Sequence, residues 1–374
     1  MSAGGPARAA ENGEDGPSSG RLRLVVLFGG QSAEHEVSLV TARHVLAAAD
    51  PARYDIRPVA ITPDGRWVFA EDAARALAAG PEALPEALPA EGPEISPLPA
   101  VTPEPGEQVV VFPLLHGPLG EDGTVQGLLE LAGVPFVGCG VLASALAMDK
   151  AKAKELLAFH GVPQARWRSL HERELDDDGL ASSIVDHLGL PVFVKPANMG
   201  SSVGVGKAST ADELRAALAA AARYDEWIVV EEAIVGREIE VAVLGNLQPR
   251  ASVPGEVIPG AEFYDYEDKY VTGAAEVRIP ADLSTEAAEE VRRLALEVFV
   301  ALRCDGMARV DFFYEESGRG WLLNEVNTIP GFTPISQYPK LWEASGVPYP
   351  DLIDELVALA VERHDRRVGK RRTT

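Results

Sequence analysis

Two neighbouring segments in the last quarter of the chain predict a β-hairpin with four polar side chains on one face. Residues 309–314 and 321–326 are rich in Val, Phe, Leu, Tyr and Trp, and the Glu-Glu-Ser-Gly-Arg-Gly sequence between them favours a turn. Alternate residues of a strand point to the same side, so a turn centred on Gly318 aligns two residues of each strand. Those pairs are Arg309 with Asn327 and Asp311 with Glu325.

The polar face of this predicted hairpin has the composition of a site for a metal-bound phosphate. Carboxylate and amide oxygens suit a hard cation such as magnesium, which usually also binds substrate phosphates. An arginine beside them can stabilise the charge on a phosphoryl group during its transfer. The alternative is a solvated strand face with ordinary surface salt bridges, which accounts for any two of these residues more easily than for all four.

The length and the charge of the chain restrict its class. A chain of 374 residues favours two or three packed units over one small core. Its 57 acidic and 34 basic residues give a formal charge of −23, which argues against nucleic acid or an anionic membrane as a partner. An anionic substrate would therefore have to meet lysines and arginines that are placed locally.

The cytoplasm is the predicted location. No apolar run reaches transmembrane length, and residues 1–20 are rich in Gly, Ser and Glu without the apolar core of a secretory signal. We expect these residues to form a disordered tail. Cys139 and Cys304 are too few for a disulfide framework, and we predict that both are buried thiols in a reducing compartment.

Hydrophobic patterning predicts an α/β protein without internal repeats. An apolar strand at 21–28, a Gly-Gly break and a helix at 33–49 begin the ordered chain, and a second apolar strand at 108–115 ends at His116. Between them, residues 71–107 are rich in Ala, Pro and Glu and predict a short helix followed by an irregular excursion.

The rest of the chain predicts further helices and strands and one long loop. Helices are predicted at 143–160, 210–222, 284–302 and 351–363, and strands at 191–195, 203–207, 227–232 and 238–244. Residues 252–272 contain Pro, Gly and several aromatic residues without clear periodicity. A loop of that length inside a compact domain is usually functional, so we predict a lid.

Residues 195–206 form a glycine-rich hairpin that can bind phosphate. Its glycines let backbone N–H groups approach phosphate oxygens, and Lys195 adds a positive charge. The segment lacks the ending of a P-loop, and it does not open a helix as the dinucleotide fingerprint does. Such a hairpin can equally be a simple turn. Together with the predicted metal site and nearby lysines, it favours a nucleoside triphosphate as the ligand.

Several residues have both a functional and an ordinary interpretation. Glu231 and Glu232 end a predicted strand, where they can face an adenine amino group or be an exposed strand end. Glu238 can accept from ribose hydroxyls, and Lys150 can be a solvated helical lysine. Residues 32–38 follow a strand, as His116 does, at the edge where open α/β sheets bind ligands, but helix capping also accounts for their polar side chains.

Six segments of the chain occur in an order that is characteristic of one family. They are Gly-Gly-Gln-Ser-Ala-Glu-His-Glu-Val-Ser (29–38), Leu-His-Gly-Pro-Leu-Gly-Glu-Asp-Gly (115–123), Met-Asp-Lys (148–150), Lys-Pro-Ala-Asn-Met-Gly-Ser-Ser-Val-Gly (195–204), Phe-Tyr-Asp-Tyr-Glu-Asp-Lys-Tyr (263–270) and Asn-Glu-Val-Asn-Thr-Ile-Pro-Gly-Phe-Thr (324–333). From Leu22 onward, the chain resembles the D-alanine–D-alanine ligases of the ATP-grasp superfamily.

The resemblance implies a three-domain ATP-grasp fold of the α/β class with a doubly wound N-terminal domain. The implied domains are 21–138, 139–231 and 232–374, with ATP held between the last two. The implied reaction begins when ATP phosphorylates the carboxylate of one D-alanine. The amine of a second D-alanine then attacks the acyl phosphate, and D-alanyl-D-alanine is formed for peptidoglycan synthesis. The family is commonly homodimeric.

The resemblance also implies the roles of individual residues. The residues implied in ATP binding are Lys150, Lys195, Ser202, Glu231, Glu232 and Glu238. Two Mg²⁺ ions, or Mn²⁺ in their place, are implied at Asp311, Glu325 and Asn327. The residues implied in catalysis are Glu34, Ser201, Tyr270, Arg309 and Gly331. The residues implied at the two D-alanine sites and the transferred phosphate are His116, Lys269, Ser336 and Gln337.

Within this set, Glu34 is implied to bind the ammonium of the first D-alanine, and Ser201 with Tyr270 connects it to the lid. Arg309 and the N–H of Gly331 are implied to stabilise the oxyanion. The tyrosine at 270 favours the dipeptide over the depsipeptide product. Met199 and Gln337 depart from residues that many relatives carry.

Three alternatives to this function remain to be compared. A D-alanine–D-lactate ligase or another ATP-grasp carboxylate–amine ligase is the nearest one. A non-catalytic nucleotide-binding protein is disfavoured because the charged residues of the implied site are all present. A dehydrogenase fails because no Gly-x-Gly-x-x-Gly follows the first strand.

Overall fold

The computed structural model describes residues 21–258 and 276–371. The predicted tail at 1–20 and most of the predicted lid, including Lys269 and Tyr270, lie outside these residues. The described chain is a mixed α/β protein with three sheets, which confirms the predicted fold class. None of the described helices is long and apolar enough to cross a membrane.

The first sheet has the strand order β3-β2-β1-β4, and only β3 runs antiparallel to its neighbour. Its strands and the surrounding helices are β1 (Leu22–Gly29), α1 (His35–Ala48), β2 (Tyr54–Ile61), β3 (Trp67–Phe69), α2 (Glu71–Ala79), α3 (Pro97–Val101), β4 (Val109–Pro113) and α4 (Thr124–Ala132). Alternate side chains of β1 pack into two different apolar clusters, one on each face of the sheet. The continuous apolar run of β1 is therefore explained by burial on both faces.

The second sheet is antiparallel, with the order β5-β8-β6-β7. The elements of this part of the chain are α5 (Val141–Met148), α6 (Lys150–Phe159), β5 (Trp167–His171), α7 (Leu180–Leu188), β6 (Val192–Pro196), β7 (Gly206–Ala208), α8 (Ala211–Ala221) and β8 (Trp227–Glu232). Helices α7 and α8 share one apolar cluster with this sheet.

The third sheet has the order β12-β11-β9-β13-β14, with β10 paired to β9. The elements here are β9 (Arg237–Gly245), β10 (Arg250–Ala251), β11 (Gly255–Ile258), β12 (Glu276–Arg278), α9 (Thr285–Ala301), β13 (Gly306–Glu315), β14 (Gly320–Asn327), α10 (Gln337–Ala344) and α11 (Tyr349–Arg371). Helix α9 packs on this sheet together with α5. Helices α10 and α11 join the apolar cluster of the first sheet, so one core connects the two ends of the described chain.

The hairpin β13–β14 has the predicted register, with Arg309 paired to Asn327 and Asp311 paired to Glu325. The cause differs from the predicted one. Glu315 pairs with Gly320, so the turn is centred between residues 317 and 318 and not on Gly318. A bulge between Asp311 and Phe312 then shifts the pairing by one residue and restores the predicted register. Since Phe312 pairs with Leu323, the extra residue on β14 is Asn324.

Three local predictions need correction. The predicted helix at 143–160 is two helices, because Asp149 has an extended backbone (φ −77°, ψ 96°) and its side chain accepts a hydrogen bond from the N–H of Lys152. The predicted loop at 252–272 contains the strand β11, which pairs with β9. Helix α10 was not expected, since its eight residues, about two turns, have a weak helical pattern.

Candidate active site

Glu34 lies where three loops of the chain meet. The hydroxyl of Ser201 donates a hydrogen bond to its carboxylate. A Cβ atom on Gly117 would lie 2.9 Å from Oε2 of Glu34, and one on Gly200 would lie 2.7 Å from it. A side chain at either position would therefore displace the Glu34 carboxylate from its present place. The structure brings Glu34 and Ser201 together as predicted.

The backbone carbonyl and N–H of Ile329 both contact side chains from the segment that follows β4. Its carbonyl oxygen is 3.1 Å from Nδ1 of His116, and its N–H donates to Oε1 of Glu121 at 3.2 Å. The other oxygen of Glu121 accepts from the N–H of Gly117 at 2.8 Å. Because Ile329 precedes Gly331 by two residues, these contacts fix the loop that carries the predicted oxyanion donor.

The protonation of His116 follows from these contacts. A carbonyl only accepts hydrogen bonds, so Nδ1 carries the proton and Nε2 is an acceptor. Nε2 is buried and has no partner among the described residues. Burial lowers the pKa of His116 although the charge of Glu34 acts in the other direction, so the imidazole is neutral at pH 7. It can accept a hydrogen bond from a ligand.

Glu121 is an acid with an unusual environment. Burial raises its pKa to about 8, and the nearby charges of Glu34 and Glu325 act in the same direction. The two backbone N–H groups that it accepts oppose this increase.

The polar face of the β13–β14 hairpin is an ion-paired cluster. Arg309 donates to both oxygens of Asp311, at 2.8 and 2.7 Å, and its Nε is 3.1 Å from Glu240 on the adjacent strand β9. The amide nitrogen of Asn327 donates to Asp311 at 2.9 Å. The two carboxylates raise the pKa of the buried Arg309 well above its ordinary value, so the guanidinium is permanently charged. Three of the four predicted residues are therefore in direct contact.

The predicted metal ligands have suitable chemistry, and one of them is bound by an arginine. Two carboxylates and an amide oxygen are the donors that magnesium prefers. Across residues 21–258 and 276–371, no group of three His, Cys, Asp or Glu side chains is positioned to hold a metal ion. Asp311 is instead bound by Arg309.

Glu231 on β8 lies between two lysines. Its Oε1 is 2.7 Å from Nζ of Lys154, and its Oε2 is 2.6 Å from Nζ of Lys195. Burial alone would raise the pKa of Glu231, but the two lysines lower it to about 2. Burial likewise lowers the pKa of Lys195, and the charge of Glu231 raises it above the ordinary value.

Lys150 lies beside the glycine-rich segment, where it donates a hydrogen bond to the carbonyl oxygen of Met199. Burial lowers the pKa of Lys150, and the charge of Lys195 lowers it further, while Glu325 opposes both. Glu325 also raises the pKa of Lys195 and of Arg309. Since its charge also acts on Glu121, Glu325 lies near Lys150, Lys195, Arg309 and Glu121.

Glu231 and Glu232 have different surroundings although they are adjacent. The carboxylate of Glu232 accepts from Nε of Arg166 at 2.8 Å and from Arg319 at 2.5 Å, which connects the second sheet to the hairpin turn. Glu238 on β9 raises the pKa of Lys195, so it lies near that lysine. The predicted contacts of these glutamates with ATP stay predictions.

The remaining predicted residues lie in two loops. Ser201 and Ser202 have positive φ angles of 46° and 60°, a conformation that non-glycine residues adopt rarely and mainly at functional sites. Ser336 accepts from the N–H of Thr333 at 3.1 Å, and a Cβ on Gly331 would lie 3.1 Å from its Oγ. Gln337 begins α10, and both polar atoms of its amide are buried with no hydrogen-bond partner in the described part of the chain.

Three site residues were missed by sequence analysis, namely Lys154, Glu121 and Glu240. Lys154 is four residues after Lys150, so helical spacing placed both on one face. Glu121 lies inside the 115–123 segment, and Glu240 follows Glu238 by the two residues that keep a strand side chain on the same face. Each pattern was visible, but none of them identifies the group that the side chain contacts.

An open groove of about 1040 Å³ lies elsewhere, between the α5–α6 helix pair and α9. Its lining is mostly apolar and includes Leu142, Leu156 and Leu296. No predicted site residue lines it, so its size carries no weight for the chemistry described above.

Two family models match the chain. The model of the D-ala D-ala ligase N-terminus matches residues 23–139, and that of the D-ala D-ala ligase C-terminus matches residues 156–358. The D-alanine–D-alanine ligase of Geobacillus thermodenitrificans is 48% identical over 363 residues, which cover 93% of this chain and 97% of that protein. The D-alanine–D-alanine ligase of Acetivibrio thermocellus is 46% identical, covering 92% of this chain and 97% of that protein.

Solved structures agree with these matches. The D-alanine-D-alanine ligase from Coxiella burnetii has a TM-score of 0.79 and 38% identity, covering 94% of this chain and 97% of that chain. The VanG D-Ala:D-Ser ligase from Enterococcus faecalis has a TM-score of 0.76 and 34% identity, covering 91% of this chain and 99% of that chain. These likenesses confirm the predicted ATP-grasp fold.

Proposed function

Since the chain belongs to the D-alanine–D-alanine ligase family, we propose that it joins two D-alanine molecules to D-alanyl-D-alanine with ATP, as an ADP-forming ligase. The observation that carries this proposal is the hydrogen bond from Ser201 to Glu34. It connects a carboxylate that suits a substrate ammonium to the glycine-rich segment that suits ATP phosphates. An amino acid and a nucleotide can therefore be bound side by side.

The first D-alanine would bind with its ammonium against Glu34. The neutral His116 offers a buried acceptor, Nε2, in the same region. This orientation directs the substrate carboxylate toward the hairpin and the lysines. A carboxylate oxygen then attacks the γ-phosphorus of ATP, the bond to the β-phosphate oxygen breaks, and ADP leaves.

The second step forms the peptide bond. The amine of the second D-alanine attacks the carbonyl carbon of the acyl phosphate, and the carbonyl oxygen becomes an oxyanion. Arg309 and the N–H of Gly331 stabilise that charge, the expected main catalytic contribution. Inorganic phosphate leaves as the carbonyl re-forms, and the attacking nitrogen loses a proton. Ser336 and Gln337 are the proposed contacts of the second carboxylate.

We assign ATP binding to the proposed domains 139–231 and 232–374. Lys150 and Lys195 are the proposed phosphate ligands, with Ser202 in the adjoining segment. Glu231 would face adenine, and Glu238 would bind ribose. The Glu232 side chain is bound by two arginines, so it would contact adenine through its backbone.

Two magnesium ions complete the proposed site, with manganese as a substitute of the same oxygen preference. Asp311, Glu325 and Asn327 would hold them, because their donor set fits this cation. When bound, magnesium would neutralise phosphate charge. Asp311 would keep its hydrogen bonds to Arg309 while it holds an ion, since each carboxylate oxygen has more than one lone pair.

The broader setting is proposed from the same resemblance. The proposed domains are 21–138, 139–231 and 232–374, and Lys269 and Tyr270 are proposed to contact the transferred phosphate and Ser201. The product supplies peptidoglycan synthesis in the cytoplasm, which two buried free thiols support. We propose that the protein is a homodimer, and the exposed Leu131 would supply apolar area for contact between the subunits. No nucleic acid or membrane partner is proposed.

The decisive experiment is ADP release with magnesium-ATP and D-alanine, coupled to a mass measurement of the product. L-alanine is the control for stereochemistry, and D-alanine with D-lactate tests the depsipeptide alternative. Release with D-alanine alone and a product of dipeptide mass supports the proposal. Turnover only after D-lactate is added would move the chain to the depsipeptide ligases, and no turnover in folded, ATP-binding protein would favour a non-catalytic role.

A further inference from the structure

Lys154 is a buried lysine whose ammonium pairs with a buried carboxylate. Its side chain is 5% exposed, and its Nζ lies 2.7 Å from Oε1 of Glu231. Lys152, on the same helix, has a side chain that is 52% exposed and pairs with Glu155. Lysine is almost never fully buried unless it is paired, so the position of Lys154 depends on Glu231.

The two lysines on Glu231 differ in their access to a ligand. Lys195 binds the second carboxylate oxygen at 2.6 Å, but its side chain is 17% exposed, against 5% for Lys154. Lys195 also begins the glycine-rich segment, whereas Lys154 lies on α6. One lysine therefore faces the proposed nucleotide site, and the other lies behind the carboxylate.

The backbone of Lys154 is placed by contacts with neighbouring segments. The amide of Gln164 donates to its backbone carbonyl at 3.1 Å. Ala151, one turn earlier on α6, packs with Val229 of β8 and with Ala197 in a small apolar cluster. Helix α6 thus packs against the second sheet, which keeps the backbone of Lys154 beside Glu231.

ATP binding would take a positive charge away from the buried carboxylate of Glu231. For Lys195 to bind an ATP phosphate, its Nζ must leave or share Oε2 of Glu231. A buried carboxylate that loses its counter-ion is strongly disfavoured, because nothing replaces the lost hydration. A second cation that stays in place removes most of that penalty.

We propose that Lys154 is a positioning residue for ATP binding: it neutralises Glu231 permanently and so allows Lys195 to move from Glu231 to the nucleotide phosphates. The inference rests on the proposed role of Lys195 in ATP binding. The low pKa of Glu231, about 2, agrees with a carboxylate that stays charged throughout. Lys154 itself touches neither substrate nor the reacting atoms.

The test is a double-mutant cycle with Lys154→Met and Glu231→Gln, read by calorimetric titration of ATP without D-alanine. Lys154→Met should weaken ATP binding about 10-fold or more, because Lys195 is then the sole counter-ion of Glu231. Once Glu231→Gln has removed the charge, Lys154→Met should change ATP affinity by less than about 2-fold. At saturating ATP, kcat of Lys154→Met should stay within about 3-fold of the parent.

Lys152→Met is the matched control, since it removes an exposed lysine from the same helix, and it should leave ATP affinity within about 2-fold. Equal weakening by Lys154→Met in both backgrounds, or no weakening in either, overturns the proposal. If Lys154→Met does not fold, Lys154→Gln replaces it in the same cycle. Direct ATP binding does not require turnover, so loss of the ligase function in the unmodified protein would appear separately, as absent D-alanine-dependent ADP release.

Discussion

Glu121 connects two loops of the site through its two oxygens. Glu121→Gln keeps the shape but leaves only one acceptor oxygen, so one of the backbone N–H groups of Gly117 and Ile329 loses its partner. The loop that carries Gly331 should become less well positioned. We expect kcat to fall about 10-fold, with KM for ATP within about 2-fold, in steady-state kinetics.

The matched control for this variant is Asp122→Asn. Asp122 accepts the backbone N–H groups of Leu119 and Thr124 in its own loop, and not that of Ile329. Its substitution should change stability but not kcat. An equal loss of kcat in both variants would contradict the positioning role of Glu121.

The same residue predicts a pH dependence of stability. Burial raises the pKa of Glu121 to about 8 in the folded protein, whereas its ordinary value is 4.5. The folded state therefore binds an extra proton between these values, and the stability from this group is lost as the pH rises from about 4.5 to 8. Because glutamine does not titrate, the Tm of Glu121→Gln minus that of the parent should increase by about 2 °C or more between pH 5 and pH 8.5. A Tm difference that stays constant in ligand-free protein would exclude this shift.

At the scale of single residues, the sequence predicted most of the polar side chains of the site but not all of the residues that they contact. Residue type and strand alternation sufficed for Arg309 and Asp311. The pairing of Lys154 with Glu231 depends on a helix and a strand that are far apart in sequence, and no local pattern specifies it. Motif membership marked Glu121 without showing that it bridges two loops.

The break between α5 and α6 is set by Asp149, which caps α6 immediately before Lys150. Asp149→Ala removes the cap and should lower the free energy of unfolding by about 1 kcal/mol in denaturant titration. It should also weaken ATP binding, since the first turn of α6 carries a proposed phosphate ligand. Asp149→Asn retains a capping oxygen and is the control. If both variants behave alike, the cap does not position Lys150.

The sequence predicted the helices and strands that follow from hydrophobic periodicity. It did not predict bulges or helix ends that depend on a single residue. The apolar β1 and the β13–β14 hairpin follow from periodicity. The bulge at Asn324 does not, because no local pattern specifies which residue of a strand is left unpaired. Likewise, continuous helical patterning concealed the extended backbone at Asp149.

At the scale of the whole molecule, the C-terminal helix α11 is bonded to the segment that follows α4. Arg363 on α11 is buried, donates to the carbonyl oxygens of Phe136 and Gly138, and lies 4.2 Å from the ring centroid of Phe136. Arg363→Met would leave two buried carbonyls without a donor. We expect a loss of about 3 kcal/mol in the free energy of unfolding, measured by denaturation.

Arg366→Met is the comparison for this prediction. Arg366 lies on the same helix and pairs with Asp305 and Glu362, but its side chain is 24% exposed. Its loss should cost less than about 1 kcal/mol. A similar loss in the two variants would show that Arg363 does not connect the parts of the molecule.

The arrangement of the three sheets was the part of the fold that sequence reasoning on the residues alone could not supply. Periodicity predicted which segments are helices or strands, and only the family resemblance implied how they assemble. The packing of α10 and α11 against the first sheet joins residues that are distant in sequence, and no composition change or linker indicates it.

This packing has a consequence for synthesis on the ribosome. Leu352, Ile353 and Leu356 of α11 are fully buried in the same cluster as Leu24 and Val26 of β1. During translation, β1 emerges long before α11, so a nascent chain would display that apolar face until almost all of the described chain has been made. A product truncated before α11 would be expected to engage chaperones or proteases instead of accumulating as a partly active enzyme.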